Sequence, residues 1–332
     1  MDLRHVRTFV TVAEQGTVSK AALCLRVAQP ALSRQINDLE IELGIRLFDR
    51  IRRRLVLTGE GERLVADCRN ILSAVHSLSE RAELLRRPDA GVLRVGATSQ
   101  MIDGVFSKFL HRYAERRPNV EIKLNEAAGP ALMAMLERGE LHVCISGIRA
   151  IQSDNHPFEI FLLPPIEFLA ACHPSLQLGK TESIDIRRLG SHPLLLLDTS
   201  FFFRNTFAAA CRLAGLKPNI FVESHTPHAL LSLAEAGHGV AIVASVLPTH
   251  RYRLRILRLT HRGKPLREPF AALWDKRRAL PPYAEDFCQL LAAYMREVFP
   301  ISQPSARTPP PPHDRLPRFL YPRQQSPGDE TA

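Results

Sequence analysis

No stretch of the 332 residues approaches the about 20 consecutive apolar positions that a membrane-crossing helix needs. The opening Met1-Asp2-Leu3-Arg4-His5 has no apolar core of an export signal. Both absences point to a cytoplasmic protein without a membrane partner. Cysteine is sparse: Cys24, Cys68, Cys144, Cys172, Cys211 and Cys288 are scattered, with no C-x-x-C and no metal-ligand spacing. A disulfide scaffold or zinc finger is thereby excluded, and reduced, mostly buried thiols are expected, with a redox-sensing pair as the alternative. No G-x-S-x-G elbow, phosphate-cradling glycine loop or metal cluster is present, and Gly237-His238-Gly239 lacks a third glycine. His142, His225 and His228 do not share one element at metal-binding spacing, and read as structural or pocket-rim groups. The sequence offers no catalytic motif and no bound cofactor or metal.

Apolar residues make up 45% of the chain and charged residues 23%, ordinary values for a globular protein. A formal net charge of +10 favours an anionic partner without choosing between nucleic acid and membrane.

The residues from Ala21 to Asn37 make that choice. They read as a short helix, a tight turn and a second helix opened by Pro30, whose missing N–H breaks no internal bond there. Leu32, Ile36, Leu39 and Leu43 form an inward apolar stripe. Gln29, Ser33, Arg34 and Asn37 are left outward, as amides, a hydroxyl and a guanidinium suited to base edges and phosphates. Ala28 offers no side-chain cap. Leu3, Val6, Phe9, Val10 and Ala13 predict a supporting helix ending near Gly16. Arg46 to Leu57 predicts a two-stranded wing whose Arg50, Arg52, Arg53 and Arg54 meet phosphates.

From Thr58 to Arg87 no proline occurs, and Leu64, Cys68, Ile71, Val75, Leu78, Ala82 and Leu85 recur at steps of four and three. That spacing predicts a long helix with a dimerising seam, the alternative being an amphipathic helix packed on its own domain. On the first reading Ile71→Glu prevents dimerisation. Pro88-Asp89-Ala90-Gly91 marks a hinge.

Met1 to about Leu72 resembles the N-terminal domain of the LysR-type transcriptional regulators. The resemblance rests on Asp2-Leu3-Arg4, Phe9, Ala13, Ala21-Ala22, Gln29 to Ile36, Leu39-Glu40, Leu43-Gly44, Leu47-Phe48-Asp49-Arg50, Leu57-Thr58 and Gly61-Glu62. It implies an α+β multidomain chain: an N-terminal winged helix-turn-helix, a long linker helix and a C-terminal two-lobed α/β effector domain related to periplasmic binding proteins. It also implies a dimer or tetramer on double-stranded promoter DNA, a small-molecule effector, and RNA polymerase as a further partner to consider. The corresponding boundaries are 1–58, 59–88 and 91–300, with lobe I near 91–163 and 268–300 and lobe II near 164–267.

Alternating strand and helix patterns after Gly91 agree, and predict parallel sheets joined by two crossovers, the first near Phe158 to Pro165. In such a fold the ligand sits between the lobes. Thr98, Ser99, Gln100, Ser146, Thr199, Ser200 and Thr226 fall at strand ends and helix starts, where free N–H groups and hydroxyls suit a small organic acid or similar metabolite; each hydroxyl alone also fits an ordinary helix cap. Gly129-Pro130 stands where the family often has a hydroxyl, and Phe201, Phe202 and Phe203 line the pocket or belong to the core. The tail 301–332, with eight prolines, is expected to be disordered. An enzyme or transport-type binding protein with a basic extension, and an architectural DNA-binding protein without a ligand, are the competing classes.

Overall fold

A computed structural model describes residues 1–51, 54–86, 90–148, 156–179 and 182–299. The hinge residues Pro88 and Asp89 and the proline-rich tail lie outside them.

The N-terminal unit is built on capped helices. Asp2 accepts hydrogen bonds from the N–H groups of Arg4 and His5 (2.8 and 3.0 Å) to start α1, Leu3–Gln15. Gly16, at φ 65°, ends it in the left-handed region that glycine adopts without steric cost. Thr17 caps α2, Val18–Leu25, and α3 follows as Gln29–Leu43. Ala28 gives α3 no side-chain cap, as its composition requires. Leu32 and Leu39 are fully buried with Phe9, Val12 and Ala21 in one apolar core. Leu43 departs from the expected stripe: it is 38% exposed, because the chain turns away immediately afterwards at Gly44. The wing is an antiparallel pair, β1 (Phe48–Ile51) with β2 (Arg54–Leu57).

The linker helix α4 spans Gly59–Arg86. Thr58 accepts from the Gly61 N–H (3.0 Å) and donates its hydroxyl proton to the Arg46 carbonyl (2.7 Å), so the cap also fastens the helix to the wing. Gly61 has no alternative: a Cβ there would collide with the Leu47 carbonyl.

The C-terminal region carries a single path of strands in the order β4-β3-β5-β13-β6-β10-β8-β9. On the first side β3 (Gly91–Ala97) pairs in parallel with β4 (Val120–Glu126) and β5 (Val143–Gly147). On the second, β8 (Pro193–Leu197) pairs in parallel with β9 (Asn219–Ser224) and β10 (Val240–Ala244). Between these lie two long strands, β6 (Phe158–Cys172) and β13 (Arg267–Asp275), antiparallel to each other and to their neighbours. The expected purely parallel sheets are therefore corrected to mixed ones, and the crossover near Phe158 to Pro165 is the first half of a strand that serves both lobes. Pro164, Pro165 and Pro269 lack N–H donors, and the ladder shifts register at Glu268/Phe270 without ending. Sequence patterning also missed β7 (Ser183–Asp185), β11 (Arg255–His261) and β12 (Lys264–Pro265), which extend the second lobe.

The helices facing this sheet are α5 (Ser99–Met101), running through a π-helical turn, Ile102–Phe106, into α6 (Ser107–Arg116); α7 (Gly129–Glu137); α8 (Phe202–Leu213); α9 (Pro227–Glu235); and α10 (Pro282–Val298). Phe287 of α10 lies edge-on to Phe106, Phe109 and Tyr113, with centroids 5.7, 5.1 and 5.2 Å away. Phe287→Ala is expected to cost about 3–5 kcal/mol, because truncating a fully buried ring leaves a cavity among these aromatic neighbours. Urea titration followed by circular dichroism checks it, and a loss below 1 kcal/mol would contradict that packing.

Candidate nucleic-acid interface and inter-lobe cleft

The back of α3 is spent on the core, which fixes what its front presents. Gln29, Pro30, Arg34 and Asn37 are exposed, and Ser33 is half-buried. Thr8 donates to Gln35 Oε1 (2.6 Å) and ties α3 to α1. Glu40 Oε1 accepts from the N–H groups of Leu47 and Phe48 (2.7 and 3.2 Å), which holds the wing against the same helix. Pattern reading assigned neither residue a role, because both resemble surface polar positions. The result is a rigid helix with a short polar row, beside a β-ribbon. Arg52 and Arg53 lie outside the described residues, as do the side chains of Arg50 and Arg54.

The seam residues of α4 divide. Cys68 is buried in the N-terminal core and Leu64 packs against that core, so these two are corrected from seam to intramolecular packing. The first turns of α4 lie against α1, and the helix leaves its domain only beyond them. Val75 is half-buried, whereas Ile71, Leu78, Ala82 and Leu85 are exposed, Leu78 at 68% and Leu85 at 86%.

Between the lobes is a cavity of about 40 Å³ lined by Thr98, Gln100, Ser146, Phe201, Phe202 and Phe203 together with Glu268. That volume accommodates little more than a water molecule. Ser99, Thr199, Ser200 and Thr226 do not line it. Ser200 is occupied in a local turn, its hydroxyl and N–H both donating to Asp198 (2.6 and 2.9 Å), and Thr199 and Thr226 are exposed. Thr98 precedes α5 but makes no side-chain capping bond, so its hydroxyl faces the cavity uncommitted to that role. Gln100 is 4% exposed, with Oε1 buried and unpartnered. Phe202 lies against Gly129, where any Cβ would collide with its ring; this is the physical reason for glycine at that position.

Glu268, 2% exposed and beside Gly147, is the site residue that sequence reading missed. A carboxylate between Arg267 and Pro269 in a strand carries no sign that it points inward. No cationic side chain stands among the described lining residues, so the carboxylate-binding chemistry expected from the hydroxyls has no counter-charge there.

The lobes are also bridged by side-chain contacts away from the cavity lining. His228 at the start of α9 places Nε2 2.9 Å from Asp103 Oδ2 in the π-helical turn, and Nδ1 2.8 Å from the Tyr252 hydroxyl. His142 instead contacts Arg94, and His225 pairs with Asp198. Among the described residues no group of side chains could hold a metal ion. All six cysteines are free thiols. Burial pushes the Cys144 and Cys288 thiols up to about 12 and Cys211 to about 11, which leaves them poor nucleophiles.

A winged helix-turn-helix joined by a long helix to a two-lobed binding domain defines a DNA-binding transcriptional regulator that responds to an effector. Residues 3–62 match the family described as bacterial regulatory helix-turn-helix protein, lysR family, and residues 86–296 match the LysR substrate binding domain. The chain belongs to the LysR family.

It is 30% identical over 301 residues to the uncharacterized HTH-type transcriptional regulator YnfL of Escherichia coli K12, covering 86% of this chain and 96% of that protein. Full-length CbnR in complex with its target DNA superposes with a TM-score of 0.65 at 25% identity, over 89% of this chain and all of that one (100%). A full-length OxyR variant from Pseudomonas aeruginosa gives 0.68 at 24% identity, over 89% and 95%, a likeness of fold. YnfL carries a regulator name and not an enzyme name. No helix among the described residues is long and apolar enough to cross a membrane.

Proposed function

We propose that this regulator acts in the cytoplasm as a dimer or tetramer on promoter DNA, where it can meet RNA polymerase. The divisions are 1–58 for DNA reading, 59–88 for linking and 91–300 for sensing. Gln29, Pro30, Ser33, Arg34 and Asn37 enter the major groove, Arg50, Arg52, Arg53 and Arg54 hold phosphates, and Ile71, Val75, Leu78, Ala82 and Leu85 join two copies. The observation that carries this reading is the polar face of α3, exposed on a helix whose opposite face is fully packed. Footprinting on the DNA immediately upstream of the protein's own gene, at stated salt, tests it. Protection of a partly palindromic site supports it, and purely sequence-blind binding counts against it.

The effector enters between the lobes at Thr98, Gln100, Ser146 and Phe202. Its body is apolar, to replace contacts among the three phenylalanines, and it carries a hydrogen-bond donor for Gln100 Oε1. No cation stands among the described lining residues and Gln100 Oε1 calls for a donor, so an amide, alcohol or amine is favoured over a carboxylate. Phe202 has to swing off Gly129 to admit it. The check is calorimetry with benzamide and benzoate as probes on Phe202→Ala, in which the truncation opens the cavity. Benzamide is expected to bind about tenfold or more tightly than benzoate, a difference of one charge-related contact. The reverse order would refute the donor assignment.

A further inference from the structure

A second cavity, of about 430 Å³, lies where the linker helix faces lobe I. It is some ten times the volume of the inter-lobe cavity and falls in the range of small-molecule sites, about 300–1,000 Å³. Ala74, Ser77, Leu78 and Arg81 form its helical wall, at the spacing of one helix face. The opposite wall is the end of β13 with the turn after it, and the loop entering β5.

The charges are one-sided. Arg81, Arg94, Arg277 and Arg278 line the space against a single carboxylate, Asp275. Asp275 is buried and already committed: Arg277 binds it through two bonds of 2.8 Å, and Arg278 approaches at 3.4 Å. Arg278 also donates to the Glu137 carbonyl (3.2 Å), and Arg94 to the Glu140 carbonyl (3.0 Å), with a contact to His142 (2.8 Å). The carbonyl bonds orient Arg94 and Arg278, and Asp275 offsets the charge of Arg277 among the four guanidinium groups that line the space. Trp274, Leu141 and Leu280 supply an apolar floor.

We propose that this cavity is a second ligand site, separate from the inter-lobe cleft, for an organic anion of metabolite size with an apolar ring or chain. A fixed cluster of guanidinium groups favours carboxylate, sulfonate or phosphate oxygens, and the floor takes the remaining body. Its walls belong to different parts of the chain, one to the linker helix and one to lobe I. Occupancy therefore stabilises the arrangement in which they face each other, and gives the regulator an input independent of the inter-lobe cleft.

The test is a fluorescence titration of the full-length protein with 8-anilinonaphthalene-1-sulfonate, an aromatic anion. Three variants accompany it: Ser77→Trp fills the space, Arg81→Glu reverses one wall charge, and Phe202→Ala alters the other cavity. Circular dichroism verifies that each is folded. One saturable site per chain is expected, weakened about tenfold or more by Ser77→Trp and by Arg81→Glu, and retained in Phe202→Ala. Binding that does not saturate, that survives Ser77→Trp, or that changes only with Phe202→Ala would overturn the proposal.

Discussion

Leu78→Glu combined with Leu85→Glu is expected to convert the protein to a monomer in sedimentation equilibrium and to abolish tight operator binding. Both leucines stand on the exposed face of α4, seven residues apart, with Ala82 between them on the same stripe. Each leucine withdrawn from water contributes about 1.5–3 kcal/mol, and a twofold seam uses each position twice. Two glutamates per chain replace that gain with desolvation cost and like-charge repulsion across the axis. A monomer engages one half-site, so it also loses the roughly 10²- to 10⁴-fold advantage of a linked second contact. Ile71→Glu, the substitution the spacing alone suggests, is the weaker test, because Ile71 is only 39% exposed. Cys68→Ser is the informative contrast: it should lower the melting temperature of the N-terminal domain and leave the oligomeric state unchanged. A double variant that still sediments as a dimer would move the interface off α4.

The split within α4 shows what a periodic pattern conveys. Steps of four and three residues reveal an apolar stripe but not its partner, and the same stripe serves the protein's own core at Cys68 and open solvent at Leu85. The helix-turn-helix was legible because its signal is local: Gly16 and Gly44 end helices, Pro30 opens one, and Leu32, Ile36 and Leu39 share a face. The wing was legible from its position after that motif and its run of arginines. The two-lobed sheet was legible as alternation, yet β6 was not, since Pro164-Pro165 reads as a break. It persists as a strand because β13 shifts register opposite those prolines. The cleft was the least legible part. Its cavity joins Gln100, Phe202 and Glu268, and its bridge joins Asp103 to His228, 125 positions apart. Such pairings depend on the closed topology and leave no trace in local composition. Thr199, Ser200 and Thr226 sit at the right ends of the right elements, yet none of them lines the described cavity.

Arg34→Ala is expected to weaken binding to the operator by about 1–3 kcal/mol, or roughly 5- to 150-fold, while hardly changing affinity for unrelated DNA. Arg34 is one turn into α3, exposed, and carried on a helix held by Leu32, Ile36 and Leu39 behind it and by Glu40 against the wing. A guanidinium so placed can offer two parallel donors to a guanine edge, and a competing base leaves one of them unmet. A phosphate contact behaves differently. Removing it weakens all sequences alike and lowers the slope of log affinity against log salt by about 0.9 per contact. The two roles are thus separable by titrating operator and non-operator duplexes at several salt concentrations. A uniform loss with a shallower slope would reassign Arg34 from base reading to backbone positioning, and shift specificity to Gln29, Ser33 and Asn37 on the same face. Arg50→Ala supplies the reference for that second behaviour, because an arginine on the wing strand β1 is assigned to phosphate. If Arg34→Ala and Arg50→Ala give the same slope change, α3 does not read the groove through this residue.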